Sequence, residues 1–153
     1  MAKSFSFSLE KIIDVRKNIE NKKAVELNKS KIVLKKKQNE LDKLKGEKEK
    51  AIHNTLFNNE KTDKLNINKL KINNDYLSQL NKNIESQKKN VNTSNKFVQE
   101  NRNKLLFASK EKKVLEKLKE KAQLNYKKIK NMQENKAENE ITIQMSGQKS
   151  HKI

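Results

Sequence analysis

Catalysis and metal binding need nucleophiles, acids, bases or ligands at short, matched spacings, and this chain of 153 residues offers few of them. The two histidines, His53 and His151, stand far apart without the neighbouring carboxylates of an acid/base pair or metal set, so both read as solvated side chains. Cysteine is absent, which excludes a disulfide framework, a thiolate metal site and a thiol nucleophile. No glycine-rich phosphate loop, nucleophile elbow or paired-carboxylate cleft can be found. We therefore expect no enzyme, no cofactor, no metal and no small-molecule substrate.

The remaining chemistry is charge. A formal net charge of +18 first suggests nucleic acid or an anionic membrane surface. Of the 37 basic residues only Arg16 and Arg102 are arginine, the usual bidentate reader of guanine and clamp of phosphate. Runs such as Lys35-Lys36-Lys37 then read as the wet face of a helix, and no nucleic-acid partner is expected. A basic coiled coil that binds nucleic acid or an anionic membrane surface stays open as an alternative.

The elements that carry these side chains are helices. With 37% charged and 32% hydrophobic residues the chain is too polar for an ordinary core, and with no proline and two glycines it is unlike most disordered chains. Leu70, Leu77, Ile84, Val91, Val98 and Leu105 recur every seven residues, the period that keeps one seam of a helix against a partner helix. The intervening seam positions Asn73, Leu80, Gln87, Ser94, Asn101 and Ala108 are mostly polar, which selects register at some cost in stability. The pattern predicts an all-α fold, a long antiparallel two-helix coiled coil spanning residues 1–140. Helix one covers about 8–57, capped by Ser8 with Phe7 stapled against Ile12, and carries Gly46 as a weak point or bend. A turn occupies about 58–63 and helix two about 64–138; residues 141–153 read as a disordered tail.

A turn centred near residue 60 would set Leu9 beside Glu111 and Phe5 beside Leu115. The second helix then overhangs the first, leaving the stripe Leu115, Leu118, Ala122, Ile129 and Met132 uncovered as a docking surface. A structural rod that dimerises through this overhang is a further alternative. There is no apolar run of the roughly 18 residues a membrane span needs and no secretory signal, so a cytoplasmic location is expected.

Both ends of this pattern resemble the flagellar type III export protein family FliJ. The first block is Phe5-x-Phe7-x-Leu9-Glu10-x-x-Ile13-Asp14-x-Arg16-x-x-x-Glu20 and the second runs from Lys110 to Lys121, with Tyr126 following as an aromatic. Tyr76-Leu77-Ser78-Gln79-Leu80, followed by Ile84 and Gln87, is similar to the start of that family's second helix. The family's closing cluster is only loosely echoed by residues 134–140. The resemblance implies a non-enzymatic export component shaped like the stalk of a rotary ATPase, whose paired termini enter a hexameric flagellar export ATPase and promote its ring. It implies Phe5, Phe7, Leu9, Ile13, Arg16, Leu115 and Leu118 at the ATPase end, with Lys110, Lys112, Lys113, Lys117, Lys119 and Lys121 suited to an acidic lumen. Leu44, Tyr76 and Leu80 would face the export gate membrane protein. Export chaperones are possible further partners, and the implied location is cytoplasmic, peripherally associated with the inner membrane at the flagellar base.

Overall fold

A computed structural model describes residues 3–61 and 67–150, apart from the side chains of 58–61 and 150. Two helices account for nearly all of them, α1 (Glu10–Lys61) and α2 (Ile67–Ser150). They pack against each other as an all-α helical hairpin, as the seven-residue repeat predicts. The chain divides into two compact units, one made of residues 21–107 and the other of residues 1–20 with 108–153.

In the unit of residues 21–107 the seam follows alternating steps of three and four on both helices. On α2, Leu80, Ile84, Ser94, Val98 and Asn101 are buried, with Leu77, Gln87, Val91 and Leu105 half-buried. On α1, Leu27, Ser30 and Leu41 are buried and Leu34, Lys37 and Leu44 half-buried. The apolar positions of α1 were thus visible in the sequence, but the polar ones alternating with them were not. Ser30 is tolerated because its hydroxyl donates to the Leu27 carbonyl at 2.7 Å, inside its own helix. Gln87 Nε2 donates to the Lys37 carbonyl at 3.0 Å and to Glu40 Oε2 at 3.3 Å, which fixes the antiparallel register here. Among the described residues no side chain reaches full burial, because two helices can enclose a seam on two sides only.

Several expected boundaries shift. The first helix begins at Glu10, whose N–H donates to the Phe7 carbonyl, while the Leu9 carbonyl accepts from Ile13; Leu9, not Ser8, thus takes the N-cap place. Ile12 is 43% exposed, so no buried staple forms with it. α1 runs to Lys61, beyond the start of the expected turn at 58; the remainder of that turn lies outside the described residues. α2 runs to Ser150 and not to 138: nothing there breaks a helix, since Gly147 costs only about 1 kcal/mol and Thr142 and Ser146 return their hydroxyls to the carbonyls of Glu138 and Ile143. The last residues of the expected tail, 151–153, lie outside the described residues. Gly46 sits within the continuous α1 with no positive φ.

Candidate interaction site at the paired termini

The unit of residues 1–20 and 108–153 brings together the two blocks that carry the family resemblance. Its apolar seam is thin: Ile13 and Ala108 are buried, while Leu115, Ala122 and Tyr126 are half-buried. Charge fills the remaining seam positions. Arg16 on α1 pairs with Glu111 on α2, Glu20 Oε2 lies 2.6 Å from Lys112 Nζ, and Glu10 Oε2 lies 2.8 Å from Lys119 Nζ. Partly exposed pairs of this kind contribute little to stability, so they set register more than they hold the unit together.

These pairs shift the register from the expected one. Glu111 meets Arg16 and not Leu9, and Phe5 meets Tyr126 and not Leu115, with ring centroids 5.6 Å apart. The cause is the longer first helix: each residue by which the turn moves along the chain moves the partner of a given residue by two. Tyr126 also donates its hydroxyl hydrogen bond to the Lys3 carbonyl, fastening the segment before α1 onto α2. A shallow groove forms between Ser4, Phe5 and Ser6 on one side and Ala122, Asn125, Tyr126 and Ile129 on the other.

The stripe expected to be bare is therefore partly covered. Leu115 and Ala122 lie half-buried in the seam, whereas Leu118, Ile129 and Met132 are exposed by 44%, 57% and 61%. The overhang starts after Tyr126, and every residue from 127 to 149 is exposed. At 1.5 Å per residue, α2 continues roughly 36 Å beyond Tyr126, the last of its described residues that is half-buried. Phe5, Phe7 and Leu9 are half-buried, Ile13 is buried, and Arg16 is held by Glu111. Of the lysines suited to an acidic surface, Lys112 and Lys119 are engaged within the unit, while Lys110, Lys113, Lys117 and Lys121 are exposed.

Glu20, as a close acceptor first and as a charge second, raises the pKa of Lys112 above its ordinary 10.5, and Glu116 adds to this. Glu20 Oε2 has no hydrogen-bond donor among the described residues, and its 2.6 Å contact with Lys112 is an ion pair. For the residues expected to face an export gate, Tyr76 is 50% exposed, Leu44 is half-buried and Leu80 is only 4% exposed. Leu80 lies in the seam, where it supports the surface around Tyr76 without presenting its own side chain.

A helical hairpin whose charged groups pair across a seam, and whose apolar residues lie on open helix faces, has the form of a binding component and not of a catalyst. A family model described as flagellar FliJ protein matches residues 5–151. The chain belongs to that family, and with it to the non-enzymatic components of the flagellar export apparatus. No curated protein and no solved structure matches the chain. Among the described residues, no helix is long and apolar enough to cross a membrane.

Proposed function

We propose that this protein is the stalk of the flagellar export ATPase: its paired termini enter the hexameric ring and promote its assembly, and the side of the hairpin contacts the export gate membrane protein. The observation that carries this reading is the fastening of Lys3 and Phe5 onto Tyr126, in a groove that the exposed Ile129 also lines, with the exposed Leu118 about two turns earlier on α2. The two ends that the family resemblance marks form a single surface, with apolar side chains and unpaired lysines that suit an acidic ring lumen. Tyr76 is the gate-facing contact in this reading, with the half-buried Leu44 and the seam residue Leu80 as its supports. The protein then works in the cytoplasm, held at the inner membrane of the flagellar base through these partners, with export chaperones as further ligands.

The test is turnover of the cognate export ATPase with and without this chain, together with electron microscopy of the particles. Stimulation and rings are expected. Val114→Ser with Leu118→Ser, both at exposed positions (59% and 44%), should abolish ring formation and leave helicity unchanged. Rings that persist with this variant would show that the surface is not the docking site.

A further inference from the structure

Along the outer face of α1, in the unit of residues 21–107, five lysines stand at one position of the seven-residue repeat: Lys22, Lys29, Lys36, Lys43 and Lys50. All five are exposed, and none takes part in an ion pair among the described residues. The row one turn further along reads Val25, Ile32, Asn39, Gly46 and His53, so neither row contains an acid. Val25 and Ile32 are 52% and 69% exposed between the lysines, and a Cβ built on Gly46 would meet nothing within 4 Å. At 1.5 Å per residue the ladder is about 42 Å long with a step of about 10.5 Å. The outward positions of α2 in the same unit are mixed: Lys82, Lys89 and Lys96 stand there with Asp75 and Glu100. The ladder's other flank, Glu26, Val33, Glu40 and Glu47, carries acids, of which Glu26 pairs with Lys23 and Glu40 accepts from Gln87, and Asp42 and Glu49 also lie outward. The ladder is still an unbroken row of lysines, whereas the lysine row of α2 follows Asp75.

We propose that this lysine ladder is a docking face for an anionic phospholipid surface, on which α1 lies lengthwise. The row turns by only about 20° per heptad, a drift that the long lysine side chains can span, so its ammonium groups can engage a plane along the whole ladder. A duplex nucleic acid turns its phosphates away from such a slowly winding ridge once in every roughly 34 Å turn, so only part of the ladder could be engaged at once. An acidic helix could match the step, yet exposed charge pairs alone hold a long helix weakly, and Val25 and Ile32 are too few for a second apolar seam. A lipid surface needs no such seam. Helix-borne clusters of four to eight lysines bind anionic headgroups by charge, with the long side chains reaching the interface from a helix that stays above it.

The test is sedimentation of the full chain with phosphatidylcholine vesicles and with phosphatidylcholine–phosphatidylglycerol vesicles, at rising salt. Binding is expected only to the anionic vesicles and should fall steeply with salt. K29Q/K36Q/K43Q should weaken it on the order of a hundredfold, whereas K82Q/K89Q/K96Q, which removes the same charge from α2, should weaken it by less than about tenfold. Glutamine is a good helix former, so both variants should keep their circular dichroism. Equal losses in the two variants would reduce the effect to bulk charge and overturn the proposal. So would a lack of vesicle binding, or binding that the ladder substitutions leave intact. Ladder-dependent capture of a helical glutamate-rich peptide without vesicle binding would reassign the face to an acidic protein.

Discussion

Lys112 on α2 reaches across the hairpin to place its ammonium 2.6 Å from a carboxylate oxygen of Glu20 on α1. Two seam positions that a coiled coil ordinarily fills with apolar side chains are here filled by an acid and a base, in a unit whose apolar seam is thin. Because the folded state raises the Lys112 pKa above 10.5, the stability this pair contributes is complete below that value. It is lost as pH rises through the folded value and the ammonium deprotonates. Hydrogen-exchange protection of residues 10–20, corrected for the base catalysis of exchange itself, should therefore contain this pair's contribution, unchanged with pH, near neutrality and fall in strong alkali. In Lys112→Gln the part of that alkaline step due to this pair should be missing, a difference readable by comparing the two proteins across the same pH series.

The contact of Phe5 with Tyr126 predicts a local effect. An aromatic pair contributes about 0.5–1.5 kcal/mol beyond its buried area. Phe5→Ala should release the segment before α1, so that limited proteolysis cuts residues 3–9 several-fold faster while cleavage within 27–44 stays unchanged. Tyr126→Phe, which keeps the ring and removes only the donor to the Lys3 carbonyl, should show a smaller increase. Equal protection in all three proteins would mean that the segment is held by other contacts.

Leu80 and Tyr76 are four residues apart on α2 but differ in burial, at 4% and 50% exposed. Leu80→Ala should cost roughly 2–5 kcal/mol, as truncations of packed leucines do, and lower the thermal midpoint measured by circular dichroism. Tyr76→Ala should change stability by much less and act on partner binding instead. If gate binding is measured, only a loss with Tyr76→Ala at unchanged stability counts as a surface contact; a loss with Leu80→Ala is explained by the seam.

At Gly46 an added methyl group meets nothing within 4 Å, and the backbone needs no positive φ. Gly46→Ala should stabilise the protein by about 0.5–1 kcal/mol, mainly by reducing the freedom of the unfolded chain. A raised thermal midpoint with unchanged ATPase stimulation would establish that the glycine is only a weak point. A raised midpoint with lost stimulation would show that flexibility at this position is used.

Asn101 is 5% exposed in the seam. Asn101→Leu should raise the thermal midpoint, because an apolar side chain fills the position without a polar group to desolvate. Its cost should appear in specificity: size-exclusion chromatography with light scattering is expected to detect pairings between chains that the parent does not make.

Helices, their antiparallel pairing and the seam of α2 were legible in the residues alone, because a seven-residue apolar repeat in a chain without proline leaves little else for the backbone to do. The polar seam of α1 was not legible. Arg16, Glu20 and Lys37 look like surface residues in one dimension, and only a partner helix at the correct height makes them interior. The same limit applied to the site. The sequence marked Phe5, Arg16 and the 110–121 block as the residues of interest, yet it placed Phe5 against Leu115 when its partner is Tyr126. Local pattern determined which face of each helix is buried, since that depends on spacing within one segment. Tertiary structure decided which residues meet across the hairpin and where the covered part of α2 ends. Those depend on the length of α1 and the position of the connection, and a shift of a few residues there is doubled at the far end of the pair.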